Sequence, residues 1–201
     1  MNYLELRATL KDFTIFSLAD VRKIAPNIHR RRLYEWQKKG YLKKIIKGYY
    51  IFADQPTSEN ILFEIANRLH IPSYISFETA LAYHNLIPES VLATTSASTR
   101  RTYHFQTVLG EFIYHSLKPE LFTGYNLVKS QGKCFKIASP EKALLDYLYL
   151  NPNIKSRADF ASLRIEANKL DWKKINKLLP LFKQKTLTKR LALFMRGKNL
   201  D

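Results

Sequence analysis

Cysteine is nearly absent from this chain of 201 residues. Cys134 stands alone, so no disulfide can form within the chain. Free thiols suit a reducing cytoplasm, and that is the expected setting. A single cysteine cannot build a thiolate zinc cluster. The five histidines (His29, His70, His84, His104 and His115) include no pair at the spacing of a metal-binding helix. His104 and His115 flank a possible hairpin and read as ordinary strand histidines. Glycine is scarce as well: there are six, none clustered, and neither G-x-x-x-x-G-K-[ST] nor G-x-G-x-x-G occurs, so no nucleotide cradle is expected. No run of about 18 apolar residues exists to span a membrane. The opening residues, MNYLELRATLKDF, carry acids and lack an apolar h-region, which argues against a secretory signal. The sequence predicts no metal, no cofactor and no membrane partner.

What the chain has in excess is positive charge. Lys and Arg number 33 against 17 Asp and Glu, for a net charge of +16. The excess is uneven. Residues 1–57 hold 12 basic and 5 acidic residues, residues 58–150 hold 8 of each, and residues 151–201 hold 13 and 4. Charge of one sign repels itself in a compact chain, and a polyanion relieves it while releasing counterions. Because hydrophobic residues make up 46% of the chain, a packed core is expected rather than disorder.

Punctuation divides the chain best at ADQPTSE (53–59), a polar proline-containing turn after an aromatic run. Ahead of it the order reads helix, helix, helix, hairpin. Residues 3–11 form an amphipathic helix with Leu4, Leu6 and Leu10. Ser17, with Asp20 three residues on, caps LADVRKIA, which ends at Ala25 before Pro26. Asn27 is placed to cap IHRRRLYEWQKK (28–39), and Gly40 to end it. YLKKIIK, Gly48 and YYIF then read as two short strands around a turn. Beyond the boundary, NILFEIANRL (60–69) and FETALAYHN (77–85, capped by Ser76) read as helices. VLATTSA, TYHFQT, EFIYHSL, YNLVKS and KCFKIA read as strands. SPEKALLDYLYL (139–150) has Ser139 as cap, Pro140 at the first helical position and Glu141 near the positive end of the dipole. The tail, 151–201, reads as three helices capped by Ser156, Asp171 and Thr186.

Two helices, a tight turn, a third helix and a hairpin is the order of a winged helix-turn-helix. At about 100° per residue, His29, Leu33, Trp36 and Gly40 share one side of the third helix, and Arg30, Arg31, Tyr34 and Lys38 the other. A helix fits the major groove, where arginine is the commonest bidentate partner of guanine. Arg30 and Arg31 occupy the first turn, where reach to base edges is best, and Arg32 points sideways toward phosphate. Lys43, Lys44 and Lys47 would give the wing sequence-independent contacts to the DNA backbone.

Nuclease chemistry requires converging carboxylates for a metal. Glu141 and Asp146 share one helix with Lys142 between them, but five residues place the two acids about 140° apart, so they are expected to diverge. His84 reads either as a buried histidine satisfied by a carbonyl or as the partner of Glu141 or Asp146 in a small polar network. No catalytic residue is assigned.

Two strings beyond the basic helix carry a family likeness: YISFETALAYHNLIPE (74–89), with Ser76, Ala80, Leu81, His84 and Leu86, and KIASPEKALLDYLY (136–149), with Ala138 to Asp146. With a winged helix ending in KGYYIF, the chain over about residues 10–150 resembles the AbiEi family of antitoxins and transcriptional regulators, the antitoxin halves of type IV toxin–antitoxin systems. The resemblance implies that the N-terminal module binds inverted repeats in its own promoter and represses it. It implies that the second part carries antitoxin activity against a nucleotidyltransferase-like toxin without a stable complex. By position, Ser76, His84, Glu141, Lys142 and Asp146 map to the core of that second domain. The basic tail matches no part of the family pattern, and reads either as a second DNA contact or as a helical cap over the sheet.

The expected protein is therefore α+β, with a winged helix-turn-helix over 1–56 and a mixed α/β antitoxin-like domain over 57–201 ending in the basic helical tail. Two alternatives stand beside the antitoxin reading. One is a regulator without a toxin partner, whose second domain senses a ligand or dimerises. The other is a DNA-processing nuclease.

Overall fold

A computed structural model describes residues 1–130 and 132–197 of the chain. The fold is α+β. Helix α1 (Tyr3–Thr9) is closed by a capping box in which Asn2 and Glu5 exchange hydrogen bonds. A two-residue strand, β1 (Phe16–Ser17), leads directly into α2 (Leu18–Ile24), where Ser17 and Asp20 form the expected capping box. Helix α3 (Arg30–Lys38) and the hairpin of β2 (Leu42–Ile46) and β3 (Tyr49–Phe52) follow. β1 pairs with β3, giving a three-stranded sheet in the order β1-β3-β2. β1 is too short to show any alternation in the sequence.

Gly40 ends α3 as expected. At φ +74 it allows Tyr41 N–H to bond the Trp36 carbonyl at 2.9 Å and its own N–H to bond that of Gln37 at 3.0 Å, the paired pattern that satisfies last-turn carbonyls. Its start differs from expectation. Pro26 and Asn27 form a turn closed by Ile28 N–H on the Ala25 carbonyl at 3.0 Å. Ile28 is drawn against the N-terminal core, and the chain stays extended through His29, which takes the N-cap position. Asn27 is thus a turn residue rather than a cap. Leu33 and Trp36 face the core as expected, whereas His29 and Gly40 are exposed. Leu4 also faces solvent, leaving Leu6 and Leu10 as the buried side of α1.

Residues 53–58 run as a loop into α4 (Glu59–Leu69). Strand β4 (Ser73–Ile75) enters α5 (Phe77–Tyr83), and β5 (Thr94–Ser98), β6 (Tyr103–Thr107), β7 (Gly110–Ser116), β8 (Tyr125–Ser130) and β9 (Lys133–Ala138) follow before α6 (Pro140–Leu150). The six strands form one mixed sheet in the order β6-β7-β5-β4-β9-β8, with β4–β9 and β5–β7 parallel. Successive strand residues point to opposite faces. On β7, the Tyr114 hydroxyl donates to the Ala66 carbonyl of α4 at 2.7 Å, while His115 packs edge-on against Phe77 of α5. Helix α4 therefore covers one face and α5, with α6 beside it, the other.

Residues 151–197 are helical but more broken than expected. Helix α7 (Arg157–Ser162), capped by Ser156, stops well short of Leu170. Arg164 turns left-handed at φ +49, which buries Ile165 and brings Glu166 N–H to the Leu86 carbonyl at 2.9 Å. Asp171 caps α8 (Trp172–Leu178) as expected. Helix α9 (Lys185–Gly197) begins before Thr186, since Thr188 N–H already bonds the Gln184 carbonyl, so Thr186 is not its cap. α8 packs on α6, and α7 on α9. Of the two readings of the tail, the helical cap describes this packing, although the cap sits on α6 rather than on the sheet. Arg190, a residue 9% exposed, ties it there: its guanidinium donates to the carbonyls of Leu148 (3.0 Å), Asn151 (2.6 Å) and Ile154 (2.5 Å). These include carbonyls that the end of α6 leaves without helical partners.

Two apolar clusters result. The smaller holds Leu6, Leu10, Phe16, Val21, Leu33, Trp36, Leu42, Tyr50 and Phe52. Ile51, between Tyr50 and Phe52 on β3, faces the other way and joins the larger cluster with Ile15 and Ile45. The hairpin is thus buried on both faces. Thr14 donates to Glu64 at 2.5 Å, and Arg68 to the Ile15 carbonyl at 3.4 Å, across the same contact.

Candidate nucleic-acid interface

Burial of Leu33 and Trp36 sets the rotation of α3 and so decides what its other side presents. At about 100° per residue, Arg30, Tyr34, Lys38 and Arg31 fall within one arc of about 100°, and all four are exposed. Arg31 Nε lies 3.2 Å from Glu35, one helical turn on, with its side chain 87% exposed. Such a pair contributes little and is readily exchanged for a phosphate or a base edge. Lys38 Nζ lies 5.0 Å over the Tyr34 ring. Arg32, the sideways residue, lies 5.7 Å over Trp36 and 3.8 Å from Glu35, at the margin of this face.

His29 makes no side-chain cap bond at the start of α3. Its first-turn N–H groups, at the positive end of the helix dipole, are therefore left without a side-chain acceptor. Beside them lies a concavity of about 510 Å³ lined by Pro26, Asn27, His29, Arg31 and Arg32 among others. Asn27 belongs to the rim of this site even though it does not cap the helix.

On the hairpin, a register shift between Lys44 and Ile46 adds one residue to β2. Lys43 and Lys44, ahead of this shift, lie on opposite faces of the strand and both reach solvent, while Leu42 is buried in the smaller cluster and Ile45 in the larger. Lys47 is exposed at the turn, beside Gly48 at φ +89. Every basic residue expected on this face is exposed.

The second group of motif residues is assembled differently. Ser76 occupies the N-cap position of α5, but its hydroxyl donates to Asp146 at 2.8 Å instead of capping. The Tyr74 hydroxyl donates to the same oxygen at 2.9 Å, and Lys142 Nζ bonds both Asp146 and Tyr74. Lys142 and Asp146 are both 0% exposed. Gly124 closes over the pair: a Cβ there would lie 3.1 Å from the Lys142 chain. Burial raises the Asp146 carboxyl above the ordinary aspartate value and lowers the Lys142 ammonium below the ordinary lysine value; their mutual attraction opposes both shifts, and the two hydroxyls oppose that of Asp146. The Tyr74 phenol is raised far above its usual range by burial and by the neighbouring carboxylate.

Of the two readings of His84, the carbonyl one describes its contact, and the network to the acids does not form. His84 Nε2 pairs with the Ala138 carbonyl at 2.8 Å, because the start of α6 brings that carbonyl closer than either acid. Glu141 points the other way, accepting from Asp171 N–H at 3.2 Å, so the two carboxylates diverge as their spacing requires. Asp146 is sealed from solvent with its charge matched by Lys142. Tyr74 is the member of this group that sequence reasoning misses, because a tyrosine in a short strand carries no signal of the acid it meets. Among the described residues, no three His, Cys, Asp or Glu come together to hold a metal, and no helix is long and apolar enough to cross a membrane. His104 sits opposite Ile113 and lies 3.7 Å from Glu111, apart from His115.

No protein-family model and no curated protein matches the chain.

Proposed function

We propose that this protein binds duplex DNA sequence-specifically through residues 1–56, a winged helix-turn-helix in which α3 is the reader and the β2–β3 hairpin the wing. The observation that carries this reading is the exposed arc of Arg30, Arg31, Tyr34 and Lys38 on a helix whose opposite side is locked into a core by Leu33 and Trp36. A fixed helix presenting two arginines in its first turn matches the geometry of major-groove readout. Lys43, Lys44 and Lys47 extend the cationic surface along the hairpin and supply affinity and register rather than sequence choice.

We further propose that the protein is a cytoplasmic autorepressor acting as the antitoxin of a type IV system, as the AbiEi-like motifs imply. Its operator would be an inverted repeat, and its functional partner a nucleotidyltransferase-like toxin not held in a stable complex. Supporting this, the two motif strings touch each other repeatedly, through Tyr74 and Ser76 to Asp146, Lys142 to Tyr74, and His84 to Ala138, and so belong to one structural unit.

The test is a gel-shift titration against the DNA immediately upstream of its own gene, with scrambled DNA as control, at two salt concentrations. Specific binding that is lost in an Arg30→Ala/Arg31→Ala protein is the expected result. Equal, salt-sensitive binding to both DNAs would reduce the protein to a polycation and overturn the reading. Antitoxin activity is tested separately, by co-expression with the product of a neighbouring nucleotidyltransferase gene.

A further inference from the structure

The C-terminal helices enclose a second basic feature, concave rather than projecting. A cavity of about 490 Å³ lies where the end of α6 meets the start of α9, with Tyr149, Pro152, Lys155, Gln184, Lys189 and Arg190 in its walls. This is within the usual range of small-molecule sites, about 300–1,000 Å³. Three of its lining residues are cations and none is a carboxylate. Arg190 is held in place by its three carbonyl partners, all neutral. Its charge therefore sits partly desolvated, and burial lowers its pKa below the ordinary arginine value. Lys155 and Lys189 are exposed at the rim, and among the described residues neither joins an ion pair. Tyr149, packed on Phe182 at 5.5 Å, and Pro152 supply apolar wall.

Cations gathered in a recess without a countercharge favour an anion entering it. The anion best suited is compact and multiply charged, because the recess admits a small group where projecting side chains, as on α3, suit the convex backbone of a duplex. We infer that this cavity binds a phosphate-bearing small molecule, its phosphate between Lys155 and Lys189 and the rest of it against Tyr149 and Pro152. The site is independent of the DNA-binding reading.

Isothermal titration of the full chain with AMP and with inorganic phosphate, at fixed ionic strength, tests this. One variant is Lys155→Gln/Lys189→Gln. The control is Lys173→Gln/Lys174→Gln, an equal charge change on exposed α8 residues outside the cavity. The expected result is one AMP per chain for parent and control, with affinity falling at least about tenfold in the Lys155/Lys189 variant. Phosphate binding as tightly as AMP would assign the site to the free anion. Phosphate binding much more weakly would assign it to a nucleotide-like ligand. The inference fails if neither compound binds, or if both variants weaken binding equally. It also fails if the Lys155/Lys189 variant loses affinity only for duplex DNA, which would make the rim a backbone contact.

Discussion

Two groups of charged residues dominate this protein, and they are opposites. On α3, Arg30, Arg31 and Lys38 stand in solvent with at most an exchangeable glutamate beside them. On α6, Lys142 is 0% exposed and bonded to Asp146 and Tyr74. Both look alike in the sequence, as cations near an acid at helical spacing. The difference lies in what the opposite side of each helix does. α3 buries one side and offers the other, while α6 is enclosed by α5, β9 and α8 and has no free side at Lys142. A cation left in water is available to a polyanion, whereas one sealed with its acid organises the fold around it.

The contrast is tested most severely at the buried pair. Lys142→Met leaves Asp146 buried beside two hydroxyls with no cation, and stability should fall by about 3–5 kcal/mol. Replacing both, as Lys142→Met/Asp146→Leu, should recover part of that loss, because no charge stays buried, while the Tyr74 and Ser76 hydroxyls that lose their acceptor keep the rest. Urea denaturation of the two proteins checks it. A single mutant as stable as the parent would mean that the pair is open to water. Next in size, Arg190→Met removes the donor shared by three carbonyls at the end of α6. It should cost about 2–3 kcal/mol, since buried acceptors left unpaired are penalised, and the same measurement tests it.

On the exposed side the ranking of effects reverses. Arg30→Ala or Arg31→Ala should leave stability within about 0.5 kcal/mol of the parent. Each should nevertheless cost about 1–3 kcal/mol of operator binding, concentrated at one base pair. Gel shifts with single-base operator variants would show this, and an Arg31→Ala protein that binds as the parent does would remove α3 as the reader. Smaller still, Lys43→Ala or Lys47→Ala should weaken all DNA alike and reduce the log–log salt slope by about 0.9 for each phosphate that is no longer neutralised.

How far the sequence discloses each side follows from the range of the forces involved. Caps are local, so Ser17, Ser139, Ser156 and Asp171 are legible from residues three or fewer apart. The exposed arc of α3 is legible from periodicity alone. Asn27 misleads because a proline turn and a cap use the same residue types, and only the burial of Ile28 separates them. The partners of Lys142 are mixed. Asp146 is one helical turn away and visible, whereas Tyr74 arrives from 68 residues off through the sheet order, which no local pattern encodes. The break at Arg164 and the cavity beneath Lys189 depend likewise on how distant segments pack.

The weakest effect falls on two histidines, His70 and His115, both withdrawn from solvent without a charged partner. His70 packs tilted against Tyr114 at 4.8 Å and stacks on Tyr103 at 6.2 Å, and its Nε2 has no partner among the described residues. Burial lowers its pKa below the ordinary histidine value, and the nearby Arg100 and Arg101 lower it further. His115 is lowered by burial too, against an opposing pull from Glu78. In both cases the unfolded chain takes up a proton, near about pH 6.5, before the folded chain does. Stability is therefore full above that pH and declines as pH falls from it through the lowered folded values. His70→Phe keeps the ring packing and removes the protonation, so it should flatten the decline as pH falls below about 6.5 in a series of urea melts. Arg100→Gln/Arg101→Gln should flatten it in part, by letting the His70 pKa rise. A parent protein that gains stability on acidification through this window would show that the imidazole is charged in the fold, placing His70 with the exposed cations rather than with the sealed groups.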